Sequence, residues 1–163
     1  MNRYAQNTLV SVGRSKGEIE DCLYKYGASD RMFGQDGNYA ILAFKLNGRM
    51  IKLSMPLPDP KAKEFHQTPG GRRQVTLEKS LALWEQGCRQ RYRALLLVIK
   101  AKFEAVAAGI TTFDREFMAG IVLPNGRTVG DELAPQIAAN TVNLKLLSFT
   151  AAPEEKTCDS HQG

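Results

Sequence analysis

Apolar residues return at helical spacing in two places and at strand spacing between them. Ile19, Cys22, Leu23 and Tyr26 fall at i, i+3, i+4 and i+7, one stripe of an amphipathic helix. Ser15-Lys16-Gly17-Glu18 has the S-x-x-E spacing of a capping box, so a helix is expected to start at Ser15 and close at Gly27. Two turn signals follow, Asp36-Gly37 and Asn47-Gly48, and they predict three antiparallel strands. With Asn47-Gly48 as a two-residue loop, Leu46 opposes Arg49, Phe44 opposes Ile51, Leu42 opposes Leu53 and Ala40 opposes Met55, which puts the bulky side chains on one face. Tyr39, Ile41, Lys45, Met50, Lys52 and Ser54 take the other face, and Pro56 and Pro58 end the third strand because proline cannot donate to a ladder.

From Asp59 to Gln74, prolines and glycines interrupt Lys61, Lys63, His66, Arg72 and Arg73, which predicts a mobile basic loop. Thr76 is the expected N-cap of a long helix. Beyond it Leu77, Leu81, Trp84, Cys88, Tyr92, Leu95, Ile99, Phe103 and Val106 recur every three or four residues until Gly109, about thirty residues in all. Ala94 to Ile99 is expected to be buried nearly all round. A short helix at Thr111-Thr112-Phe113, a small hairpin around Asn125-Gly126 and a last helix from about Asp131 complete the order. The expectation is an α+β fold: helix, three-stranded antiparallel sheet, long central helix, then short C-terminal helices with a small hairpin. It forms one domain over residues 1–150, with a disordered acidic tail over 151–163.

A composition of 43% hydrophobic and 24% charged residues in 163 suits one ordinary core. The longest apolar run, Ala94 to Ile99, is far short of the roughly 20 residues of a membrane span, and the polar opening argues against a secretory signal. The expected setting is therefore cytoplasmic, with no membrane. Cys22, Cys88 and Cys158 form no C-x-x-C pair, which argues against zinc, and the first two sit in apolar stripes as small hydrophobes.

Charge is uneven. Residues 1–60 carry 8 basic and 6 acidic groups, 61–110 carry 10 and 4, and 111–163 carry 4 and 7. At about 100° per residue, Arg89, Arg93 and Lys100 share one flank of the long helix, and Arg91 and Lys102 lie on the opposite flank. With Arg72 and Arg73 just before the helix, these cations suit sequence-independent phosphate contact. The competing reading is ordinary helix surface, partly paired with Glu85 or Glu104. The order of elements matches the double-stranded-RNA-binding domain, an analogy of topology alone, since the long helix and the Gly70-Gly71-Arg72-Arg73 loop depart from that domain. Tyr39 beside Lys45 and Lys52 could stack a base, but the expectation is that the C-terminal helices cover Tyr39 and Ile41.

No catalytic arrangement is visible. His66 and His161 have no metal spacing, no Ser or Cys has an evident base, and Asp36, Asp59, Asp114 and Glu116 are accounted for by turns, loops or helix starts. Pro69-Gly70-Gly71-Arg72 lacks the phosphate-loop pattern. No enzyme activity, metal or cofactor is expected.

The opening Met-Asn-Arg-Tyr-Ala-Gln-Asn-Thr, Glu18-Ile19-Glu20, Tyr26-Gly27-Ala28, the run from Cys88 to Val106 and Ile121-Val122-Leu123-Pro124-Asn125-Gly126 resemble a family of small proteins encoded by bacteriophages and related mobile elements. The likeness covers roughly residues 1–138 and departs after Gln136. It implies a setting and no activity or catalytic residues. The expected function is a phage or mobile-element accessory protein that binds DNA or RNA without catalysis through Arg72, Arg73, Arg89, Arg93 and Lys100, with Arg91 and Lys102 secondary. The alternative is a modulator of a host or anti-phage defence complex that docks the same cations on an acidic protein surface, and a homo-oligomer is compatible with either.

Overall fold

The computed structural model describes residues 8–139 except Pro69 and Arg72. Its order is α1 (Val12–Lys25), β1 (Ser29–Asp36), β2 (Tyr39–Leu46), β3 (Arg49–Pro56), α2 (Lys63–His66), α3 (Leu77–Ala107), α4 (Phe113–Phe117), a 3-10 turn (Met118–Gly120) and α5 (Val129–Ala138). This is the expected α+β arrangement. The expected acidic tail, Cys158 and His161 lie outside the described residues.

The strands form a meander in the order β1-β2-β3. Leu46 opposes Arg49, Phe44 opposes Ile51, Leu42 opposes Leu53 and Ala40 opposes Met55, the register that follows when Asn47 and Gly48 both take positive φ, at 49° and 72°. The first turn sits one residue later than expected. Asp36 pairs with Tyr39, so the loop is Gly37-Asn38, and Gly37 takes the positive φ of its first central position, 54°.

One face of the sheet packs on α1 and α3. Ile19, Leu23, Leu42, Phe44, Ile51, Leu96, Ile99, Phe103 and Phe117 form the centre of the core. Its aromatic knot joins four elements: Tyr26 stacks on Phe103 with centroids 4.4 Å apart, Phe44 meets Phe117 edge-on at 5.9 Å, and Phe103 lies 5.1 Å from Phe117. Such pairs add to the burial of their area and favour these offset and edge geometries.

Several expectations need correction. Helix α1 starts at Val12, a turn early, because Ser11 is the N-cap and accepts from the Arg14 N–H; Ser15 is buried within the helix, and Glu18 turns to Arg14 and Arg93 instead. Residues 59–74 are more than a basic loop. Phe65 is buried on the short α2, Gln67 bridges Gln74, the Trp84 indole N–H donates to the Pro58 carbonyl at 2.9 Å, and His66 meets both Pro60 O (2.8 Å) and Ser80 Oγ (3.0 Å). These contacts tie the segment to α3. The run Ala94 to Ile99 is not buried all round: Leu96 and Ile99 are, but Leu97 and Val98 are 44% and 47% exposed. Helix α3 is a one-sided cover for the sheet, so its apolar run exceeds what one neighbouring layer can shield.

Helix α5 begins at Val129, where Thr128 and Asp131 form a reciprocal capping box. Pro135 inside it cannot bond the Asp131 carbonyl, and the Arg127 guanidinium donates to that carbonyl at 2.7 Å instead. The C-terminal elements attach to the sheet edge. Ile121 bridges Ile51, the Val122 N–H donates to Met50 O at 2.8 Å, and Gly120 sits so close that a Cβ there would lie 3.0 Å from Lys52 O. They therefore extend β3 sideways and leave Tyr39 exposed, contrary to the expectation that they cover it.

Candidate functional site

The helical period places Arg89, Arg93 and Lys100 on one flank of α3, and that flank faces α1. Arg93 Nη1 donates to Glu18 Oε2 at 2.7 Å, and Arg14 Nε donates to the other carboxylate oxygen at 3.3 Å. The hydrogen bond from Arg93 is the main reason the Glu18 carboxyl is held below its usual range. Arg89 donates to Gln86 Oε1 at 2.9 Å and lies 3.8 Å from Glu85. Lys100 is exposed in the groove between α1 and α3, with Glu18, Asp21 and Glu104 also lining it. On the other flank Arg91 is exposed, while the Lys102 ammonium donates to both the carboxylate and the carbonyl of Glu116 at 2.9 Å. Arg93 on the first flank ties α1 to α3, and Lys102 on the other flank ties α4 to α3. Arg72 lies outside the described residues.

A second group of cations stands at the start of α3. Lys61, Lys63, Arg73 and Lys79 are exposed, and no ion pair engages them among the described residues. Lys63 and Lys79 line one groove of about 550 Å³ with Glu64, Gln67, Thr68 and Leu83. Arg73 belongs to the adjoining turn, where its N–H and carbonyl both bond Thr68. The structure also pairs Ser80 with His66, which the sequence, fourteen residues apart, does not suggest. Ser80 is buried and the second ring nitrogen of His66 meets the Pro60 carbonyl, which suits a pin between loop and helix.

The outer face of the sheet is a third surface. Met32 opposes Ala43, which opposes Lys52, and Lys45 opposes Met50; paired residues share a face. Met32, Tyr39 and Met50 are 57%, 51% and 39% exposed, and Ile41 is half-buried. Met32 was missing from the sequence-derived face. The alternation from the inward Phe33 would have supplied it. Lys45 is exposed, and Lys52 lies near enough to Asp131 to favour that carboxylate, though the Thr128 hydroxyl and N–H are the larger cause of its lowered pKa.

Among the described residues no group of three or more His, Cys, Asp or Glu could hold a metal ion, and no helix is long and apolar enough to cross a membrane. Burial pushes the Cys22 and Cys88 thiols above their ordinary range, so both stay protonated and apolar near neutral pH. Comparison with known proteins finds no matching family model, no similar curated protein and no matching solved structure.

Proposed function

We propose that the protein is a non-catalytic binding module, an accessory protein of a bacteriophage or related mobile element, that docks the outer face of its sheet on a protein of a host or defence complex. The observation that carries this reading is an exposed face bearing Met32, Tyr39 and Met50 on a sheet whose other face is sealed. Methionine and tyrosine are adaptable contact residues, and such patches commonly mark protein interfaces. Lys45 and Lys52 on the same face favour an apolar partner patch bordered by carboxylates. Capture from a nuclease-treated bacterial lysate tests it with two baits: the wild type and Met32→Asp/Met50→Asp. A stoichiometric protein retained by the first and lost by the second, at equal melting temperature, supports the reading. Equal capture by both refutes it.

Nucleic-acid binding is the second reading, carried by Lys61, Lys63, Arg73 and Lys79 near the start of α3, which are exposed and in no ion pair among the described residues. It moves the phosphate contacts away from Arg93 and Lys102, whose charges are already engaged. Binding to DNA or RNA that weakens steeply with salt, and weakens in Lys63→Ala/Lys79→Ala but not in Lys102→Ala, is the expected result. Salt-insensitive binding, or none, removes it.

A further inference from the structure

We propose a small-molecule site in the cleft between the start of α1 and the middle of α3, which takes a compact planar ligand bearing a phosphate or carboxylate. The cleft measures about 380 Å³ and shares no lining residue with the open sheet face, so it stands apart from the proposed docking surface. Its volume falls within the range of small-ligand pockets, roughly 300–1,000 Å³.

Two cations face it with donors to spare. Lys16 Nζ lies 5.1 Å from the Tyr92 ring centroid and 5.3 Å from that of Phe33; no carboxylate pairs with it among the described residues. An ammonium held on aromatic faces keeps its three N–H donors available. Arg89 spends its Nε on Gln86 and comes no closer than 3.8 Å to Glu85, beyond hydrogen-bond range. Among the described residues Glu85 is the one carboxylate lining the cleft, against Lys16 and Arg89. The excess is positive, and a forked guanidinium and an ammonium lining one cleft suit a phosphate or carboxylate.

The remaining walls are apolar. Trp84, Tyr92, Leu57 and Cys88 line the cleft, and the indole N–H is already bonded to Pro58 O, which fixes the ring and leaves its carbon surface as contact area. A protonated Cys88 adds an apolar patch. An anionic head on Lys16 and Arg89 with a flat body against Trp84 uses both cations and the indole face.

Trp84 is the single tryptophan of the chain, so its fluorescence reports on this cleft alone. Titrations with adenosine 5′-monophosphate, benzoate, adenosine and inorganic phosphate test the proposal. One of the two planar anions is expected to change the emission saturably and to bind at least about tenfold tighter than adenosine or inorganic phosphate. The tighter of the two identifies the anionic group. Lys16→Ala and Arg89→Ala each weaken that binding by about tenfold or more, with unchanged circular dichroism, while Lys16→Arg retains it. No saturable change with either planar anion, equal binding of adenosine and its monophosphate, or undiminished binding in both alanine variants overturns the proposal.

Discussion

On the inner face of the sheet Phe44 and Ile51 have no exposed surface, whereas on the outer face Met32 and Tyr39 keep more than half of theirs. Both sets arise from the same sheet and the same alternation, and they differ in what packs against them. Two helices shield the first. The C-terminal elements attach to the edge of β3 through Ile121 and Val122 and do not cover the second. Apolar character in a strand therefore tells which residues can leave water, and the neighbouring layer decides which of them do.

That contrast can be broken from the inside first. Phe44→Ala removes a fully buried ring that meets Phe103 and Phe117, and it is expected to lower stability by about 3–5 kcal/mol in a urea melt. Next is the joint between sheet edge and C-terminal elements. Gly120→Ala forces a Cβ against Lys52 O, Leu53 and Ile51 at 3.0 to 3.2 Å, at an expected cost of about 1–3 kcal/mol by the same measurement.

A smaller effect is expected at the seam between α1 and α3. Arg93→Ala lowers the thermal midpoint while Arg91→Ala, an exposed cation with no ion pair among the described residues, leaves it unchanged. Two carboxylates add a pH dependence, Glu18 in this seam and Asp131 in the cap of α5. Glu18 and Asp131 have folded pKa values below their ordinary 4.5 and 3.8, so what they contribute is present above those values and is lost as pH falls through the depressed folded ones. Glu18→Gln is expected to flatten the acid limb of a melting-temperature profile; an unchanged limb refutes the coupling. Smallest of all is the outer face. Met32→Ala and Tyr39→Ala are expected to stay within about 0.5 kcal/mol of wild type, so any loss of partner capture in those variants reads binding and not folding.

Local signals recovered most of the architecture. The Asn47-Gly48 turn set the β2/β3 register, Thr76 capped α3, and the stripe through Cys88, Tyr92, Ile99 and Phe103 is buried as its period requires. Errors came where two local signals competed. Ser11 takes the cap that Ser15 was expected to fill, while Ser15 is buried within the helix, and Asp36 pairs with Tyr39 so that Gly37 opens the turn in place of Asp36. The candidate site was legible only in part. Helical period placed Arg89, Arg93 and Lys100 together, but Glu18 reaches Arg93 from 75 residues away, and Lys16 meets Tyr92 across a similar gap. Nothing in a local window encodes such meetings.

By itself the sequence determined α1, the three strands and α3, their order, the pairing of the second hairpin and the inward side of α1 and of the middle of α3, because these depend on neighbours a few residues apart and on alternation of apolar and polar side chains. The tertiary structure alone decided which cations stay free, which apolar face remains in water and where a cleft opens. Those outcomes depend on through-space distances between elements, and a charge is neutral or available according to what stands a few ångströms away.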